Sequence, residues 1–475
     1  MNITNKVITK DDLEAELAYN LKNHNINLCD KNTWPYKNKG QRQIGSSSII
    51  VTYPPKRTLP PANSWKQVFD SNSITPPQIT IYCHIPYCTG KCRYCGFKTI
   101  TGDDFAHNDY INLLLTEIGL VSQIIDLKNT KVVSLYFGGG TPTVFCNNLL
   151  KKLLIGVTSH FNMASNAEIT VEASPETINA TKAKLLRKLG VTRISLGVQT
   201  FEDDILRHMN RRHNTEQTIC TINDLRKAGH ENINIDLIKA YPKMNLSTVI
   251  SDIEMAVSLG IESITTYELV IRNDSALGSD YYSTHEDFLS PPEQIRQSLA
   301  YDTLLRSYNY KVGPVGWYIR TKNAAYQQQY HKWRDNIPFL AFGNSGYGFY
   351  NNNQYYNSDS INEYVQSIQD RKPPISRTWA LNAKELLYRS FVFGCKTGFK
   401  PRKFPTASRS DWNYLMQKVG DLINKGLLEN KDGKIVMTNI GRIFSEQVAH
   451  EFYSTEVIKA EETSNWLTKD IASKL

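Results

Sequence analysis

The chain has 475 residues, 40% of them hydrophobic, and 55 Lys and Arg against 46 Asp and Glu give a formal net charge of +9. That length implies more than one domain, and no run of about 18 apolar residues exists to cross a membrane as a helix. The opening Met1-Asn-Ile-Thr-Asn-Lys-Val, followed by Asp11-Asp12-Leu13-Glu14, carries no apolar core of a secretion signal. Eight cysteines, three of them in one motif, argue against a disulfide framework and for the cytoplasm. The charge, modest over this length, suits an anionic substrate.

Residues 1–75 are polar, with Tyr53-Pro-Pro, Leu59-Pro-Pro and Asn/Ser-rich stretches, and read as an N-terminal arm or lid. From about 78 a regular alternation begins. Apolar, β-branched runs at 79–85, 131–137, 167–173, 191–198, 232–238 and 262–269 predict strands. Helical patterns fall between them at Tyr110 to Ile125, Leu149 to Phe161, Glu176 to Leu189, Thr215 to Ala228 and Leu246 to Leu259. Strands alternating with helices predict an α/β fold with crossovers and a parallel sheet. Aromatic residues crowd 310–357 at more than twice the chain average of 11% and are expected to wall over the sheet's mouth, with core filling as the alternative. Beyond Lys372-Pro-Pro, helices are predicted over Asn382 to Phe393 and Ser408 to Lys425. A hairpin turning at Asp432-Gly433 follows, a winged-helix-like pattern. The domains so read are 1–75, 76–370 with an aromatic-rich extension from about 310, and 371–475. The basic stretch Lys396 to Lys403 is expected to be a solvated loop, which argues against nucleic acid as a partner.

The most informative run is Tyr82-Cys-His-Ile-Pro-Tyr-Cys88-Thr-Gly-Lys-Cys92-Arg-Tyr94-Cys95-Gly-Phe97. Cys88, Cys92 and Cys95, separated by three residues and then two, can wrap one loop around three corners of a cubane iron–sulfur cluster. Such clusters usually take four Cys, so a trio leaves one iron open to a small molecule. A structural zinc site is the alternative, but it needs four closing ligands. Cys83 lies on the other face of a strand from His84, while Cys29, Cys146, Cys220 and Cys395 are scattered and read as small core residues. Phe137-Gly138-Gly139-Gly140-Thr141-Pro-Thr ends the second strand; alone it could be a tight turn or a phosphate loop, although it lacks the Lys-Ser/Thr of a P-loop.

These motifs resemble the radical S-adenosylmethionine (SAM) superfamily, and within it the HemN-like branch named after oxygen-independent coproporphyrinogen III dehydrogenase. That branch includes a haem chaperone and class C methyltransferase and cyclopropanase relatives. The resemblance implies a partial (β/α)6 barrel with an N-terminal arm and a C-terminal helical domain, closed by the element matched in Thr438-Asn-Ile-Gly-Arg442. It implies a 4Fe-4S cluster on Cys88, Cys92 and Cys95 whose open iron binds SAM, and electron transfer that cleaves SAM to methionine and a 5′-deoxyadenosyl radical. It further implies that Gly138, Gly139, Gly140 and Thr141 hold the amino end of SAM and that Glu172 contacts the same molecule. Gln199, Arg211, Asp236 and Val270 match positions contacting a second SAM, and Tyr82 and Tyr94 flank the cluster and the first adenosine. No residue is singled out as catalytic acid or base.

The chain departs from the branch at Cys95-Gly96-Phe97, at Ala240-Tyr241-Pro242 and through 310–357, where Phe342-Gly343-Asn-Ser-Gly-Tyr347-Gly is only loosely similar. The departures spare the SAM motifs and fall on the substrate side. Three functions are therefore expected, in this order. The first is radical methyl or methylene transfer from a second SAM to an unsaturated small molecule. The second is oxidative decarboxylation of coproporphyrinogen III. The third is a haem-binding chaperone on the same scaffold. The resemblance implies a small-molecule substrate and an electron donor such as flavodoxin or ferredoxin.

Overall fold

The structure, a computed structural model, describes residues 9–36, 50–70, 75–272, 274–283, 288–321, 324 and 326–464. The opening residues read for a signal core (1–8), parts of the expected arm (37–49 and 71–74) and the final stretch 465–475 lie outside them.

Helix α1 (Lys10–Asn23) is followed by the alternating block that the sequence pattern predicts. Its members are β1 (Gln78–Ile85), α2 (Asp104–Ile124), β2 (Lys131–Gly139), α3 (Asn147–Thr158), β3 (Asn162–Ala173), α4 (Ala180–Lys188) and β4 (Arg193–Gln199). The block continues through α5 (Asp203–His208), α6 (Thr215–Lys227), β5 (Ile233–Lys239), α7 (Leu246–Ser258) and β6 (Ser263–Glu268), then α8 (Ala276–Ser283) and α9 (Pro291–Ser307). Strands β1 to β6 lie side by side in chain order, all parallel. Six β/α units in sequence make a parallel arc.

Alternation along each strand sorts its side chains to two faces. On one face Ile79, Ile81, Cys83, Ile85, Leu135, Phe137, Val171, Ile194, Leu196, Ile235 and Leu237 are fully buried, in one core with helix residues such as Leu114, Leu153, Leu186, Leu225 and Ile253. The other face is polar and bonds across strands. Tyr136 donates to Glu172 (2.6 Å), Asn234 donates to Ser195 (3.0 Å), and Thr265 donates to Asn234 (3.0 Å). A layer of charged and amide groups inside the arc is the scaffold's provision for polar ligands.

The aromatic segment extends the sheet at both edges and many of its rings fill core, the alternative reading. Strand β8 (Trp317–Ile319) adds antiparallel to β6, and β7 (Lys311–Val312) antiparallel to β8. Helix α10 (Gln327–Trp333) follows, its amide groups bonded to Glu168 of β3, and the Gln328 side chain donates to the Ile81 carbonyl of β1. Strands β9 (Phe339–Phe342), β10 (Tyr347–Tyr350) and β11 (Asn353–Asn357), helix α11 (Ile361–Gln369) and strand β12 (Ile375–Ala380) come next, and the four strands continue the sheet from β1 outward. Phe342, Phe349, Tyr350 and Tyr355 are buried there, because a short strand covered on both faces needs large apolar side chains to bury enough area.

The chain closes with α12 (Ala383–Thr397), α13 (Arg409–Asn424), hairpin β13 (Leu428–Lys431) and β14 (Lys434–Met437), then α14 (Asn439–Ile443), α15 (Ser445–His450) and α16 (Thr455–Thr463). Arg442 forks onto Asp302 of α9 at 2.9 and 2.7 Å. One basic residue departs from the expected solvated loop: Lys396 is buried on α12 and pairs with Glu446 at 2.7 Å, whereas Lys400 and Arg402 are exposed. Cys29 and Cys220 are exposed rather than core, and Cys395 is buried. Among the described residues no helix is long and apolar enough to cross a membrane.

Candidate cluster and adenosylmethionine site

The cysteine loop leaves the end of β1 and is stitched to the rim of the arc by main-chain bonds. Gly140 N–H donates to the Ile85 carbonyl and Thr141 N–H to that of Tyr87, both at 2.7 Å, which fixes the glycine loop against the cysteine loop. Cys88 N–H bonds Ile100 O at 3.0 Å, Arg93 N–H bonds Met209 O at 3.0 Å, and Asn210 Nδ2 donates to Lys91 O at 2.9 Å. The loop is thus held at both ends and in the middle.

Cys88, Cys92 and Cys95 are half-buried free thiols at the carboxyl ends of the strands, where ligands bind in open α/β sheets. Cys88 Sγ lies 3.5 Å from Thr141 Oγ1, and Cys92 Sγ accepts a hydrogen bond from Arg211 Nη1 at 3.3 Å. Burial pushes the Cys88 thiol up to about 11 and raises that of Cys95, and the neighbouring sulfurs add to both shifts. Neighbouring thiols of which Cys88 and Cys95 resist ionising suit a metal, since metal binding draws off the proton. A structural zinc needs four closing ligands, whereas a cubane takes one sulfur at each of three iron corners. The trio fits a 4Fe-4S cluster.

Glycine is required in the adjoining loop by close approach. Gly139 has φ +111°, and a Cβ there would sit 2.4 Å from the His84 ring. A Cβ on Gly140 would lie 2.5 Å from the Tyr87 carbonyl oxygen. Gly138 abuts Glu172, whose carboxylate accepts from Tyr136 OH (2.6 Å) and Gly139 N–H (2.9 Å). Burial raises Glu172 to about 7, against those two bonds. Tyr82, also on β1, bonds His84 Nδ1 at 2.9 Å and packs 6.0 Å from the Tyr136 ring.

Arg211 occupies the centre of the rim. Besides Cys92 it donates to Ser174 Oγ (2.7 Å) and Gly197 O (2.6 Å), and its Nε is buried without a partner. Burial works against its charge, but Tyr94, Cys92 and Glu176 outweigh that and hold its pKa above the ordinary value. Gln199, at φ +74°, accepts from Tyr267 OH. Asp236 is bonded by Asn234 at 2.8 Å and is raised by burial. Tyr94 packs 6.0 Å from Tyr241, and Val270 is half-buried just past β6. The structure therefore brings Cys92, Arg211 and Ser174 together, sets Glu172 under the glycine loop, and leaves Asp236 deeper on the concave face.

Residues not singled out from sequence complete the rim. Glu176 accepts from Thr89 of the cysteine loop (3.0 Å) and lies 3.2 Å from His213. Burial would raise it, yet the His213 bond, Arg211 and Ser174 hold it down to about 2. Arg272 packs against Gly96 and pairs with Asp274 at 2.9 Å. Pro175-Glu176 follows directly on the Glu172 motif, so the second carboxylate was within reach of a sequence reading.

A profile of the Radical SAM superfamily matches residues 82–256. Over 377 residues the chain is 26% identical to the haem chaperone HemW of Bacillus subtilis, covering 78% of this chain and 98% of that one. It is 34% identical over 189 residues to an oxygen-independent coproporphyrinogen III oxidase of Bradyrhizobium diazoefficiens, covering 40% and 42%. The solved coproporphyrinogen III oxidase HemN of Escherichia coli superposes with a TM-score of 0.69 at 20% identity, over 81% of this chain and 92% of that chain. Residues 82–256 thus form a Radical SAM domain, of a superfamily whose members work with a 4Fe-4S cluster and SAM. The chain's homologues within the superfamily are HemW haem chaperones and the HemN oxidase.

Proposed function

We propose that the chain is a haem-binding radical SAM protein, similar in role to the haem chaperones it resembles, that keeps the apparatus for reductive SAM cleavage. The observation that carries this is the alignment with HemW across 98% of that protein's length, together with an intact cysteine loop. Cys88, Cys92 and Cys95 hold the cluster, and Arg211 steadies the Cys92 thiolate by its hydrogen bond. With cluster and SAM bound, the pair supplies one-electron cleavage of SAM. The glycine loop gives main-chain groups to the amino end of SAM, and Glu172 offers a carboxylate to its ammonium or ribose. The electron comes from a small reducing protein in the cytoplasm. Anaerobically reconstituted protein titrated with haem should give a Soret shift and form deoxyadenosine from SAM. No Soret shift removes the haem reading.

A second reading, methyl or methylene transfer from a second SAM, is favoured by Gln199 and Asp236, which face the concave side beyond the Glu172 site. Methyl-deuterated SAM tests it: absence of label from every product and from deoxyadenosine counts against it. Coproporphyrinogen III supplied in the same anaerobic assay tests decarboxylation by release of carbon dioxide.

A further inference from the structure

Two cations lie buried side by side between the concave face and helix α12 without an acid to neutralise them. Lys332 of α10 is 6% exposed and Arg389 of α12 is 3% exposed. Among the described residues neither forms an ion pair with a carboxylate. Burial is what lowers both, Lys332 to about 7 and Arg389 to about 9, with Arg389 also acting on Lys332 and no acid acting on either. Arg389 Nη1 donates to Asn336, but its Nε is buried without a partner, as is Nε1 of Trp333, which stacks on the Phe393 ring that Arg389 also meets. Among the described residues Lys332 Nζ hydrogen-bonds the Tyr347 hydroxyl alone, at 3.5 Å.

Aromatic faces answer part of this charge. Lys332 Nζ stands 4.8 Å from the Phe339 ring centroid, and the Arg389 guanidinium 4.1 Å from that of Phe349. Cation–π attraction is weaker than the cost of stripping water from an ammonium or guanidinium that has no counter-ion. Two buried cations whose acceptors are all neutral suit an anion. The pair also communicates with the rim: the Tyr347 ring lies 5.9 Å from Tyr82, whose hydroxyl meets His84 at 2.9 Å, and His84 abuts Gly139.

We infer that Lys332 and Arg389, with the Trp333 indole N–H, form a carboxylate-binding subsite that receives an acidic side arm of the ligand. The subsite deepens the proposed function and rests on it for the ligand's identity: a haem carries two propionates able to reach such a pair. The planar, multidentate guanidinium suits a carboxylate, and the aromatic walls suit the ring that bears it.

Full-length, cluster-reconstituted protein is titrated with haem and with haem dimethyl ester, in which both propionates are masked. Wild type is expected to bind haem at least tenfold more tightly than the ester. Lys332→Met and Arg389→Met are expected to bind haem only as tightly as wild type binds the ester. Variants that bind haem as well as wild type overturn the subsite while the haem reading stands. A second arm uses glutarate, a bare dicarboxylate, read by melting temperature, with an expected rise of about 2–4 °C that both substitutions abolish. If wild type binds neither haem nor ester, the haem reading falls and glutarate decides: a Lys332-dependent rise supports the subsite, and no rise overturns it.

Discussion

The parallel arc β1–β6 and the antiparallel wing β9–β12 belong to one continuous sheet, yet they arm it differently. The arc gathers thiols, an arginine and carboxylates at its strand ends, each with a partner close by, as Arg211 shows with Cys92, Ser174 and Gly197. Beside the wing, aromatic rings surround cations that lack counter-ions. A rim whose charges are paired is suited to holding a fixed cofactor in one geometry, whereas buried cations without counter-ions are suited to discriminating what arrives. The contrast is in keeping with the sequence departures: short ones at Gly96-Phe97 and Ala240-Tyr241 leave the arc's SAM motifs in place, and the longest runs through 310–357.

The contrast can be broken most sharply at the cysteines. Cys92→Ser is expected to lower SAM cleavage at least about 1,000-fold, with iron falling to background; iron analysis and deoxyadenosine counting check both. Next comes the stitching of the two loops. Gly140→Ala sets a methyl against the Tyr87 carbonyl, and a displacement of that order is expected to cost about 100-fold in SAM cleavage with iron retained. In the wing the expected sign reverses. Lys332→Met removes an uncompensated charge and should stabilise the unliganded protein by about 1–4 kcal/mol in urea titrations. Burial lowers Lys332 from 10.5 to about 7, so the unfolded chain takes up the proton first as pH falls. The penalty is absent above the unfolded value, grows on the way down and is full below about 7. The gain from Lys332→Met should therefore be largest at pH 6 and vanish near pH 11; a flat difference would refute that origin. Smallest is Asn382→Ala, which removes the cap accepting from Glu385 N–H at 3.0 Å. It should cost about 1 kcal/mol and leave SAM cleavage unchanged.

The arc was legible because its strands repeat one signal: apolar residues on the helix-covered face, bounded by capped helices. Even so, β3 begins at Asn162 rather than 167, since polar Asn162 and Met163 pair with Lys131 and Val132 at the sheet's end. Helix α9 escaped the periodicity although Ser290 and Glu293 form a capping box at its start. The wing was misread because its strands are four to six residues long, too short for a period, and the Asn351-Asn352 turn at φ 47° and 57° was not read as a hairpin. In the site, spacing alone revealed the thiols. The Arg211–Cys92 bond spans 119 positions and leaves no local trace. Lys332, in Gln327-Gln-Gln-Tyr-His-Lys-Trp, carries no local sign of its burial, which arises where α10 packs on α12.

Segment 50–58 also fixes an order of assembly. Tyr53 donates to Glu385 and receives Ser454 N–H, Ile50 N–H meets Glu446, and Arg57 pairs with Glu461, across 332 to 404 positions. A ribosome delivers these partners last, whereas each β/α unit can close on itself within a few dozen residues. During synthesis this early stretch must wait, solvent-bathed and open to proteases, until the final helices emerge. A chain stopped before Ser445 should be clipped there first.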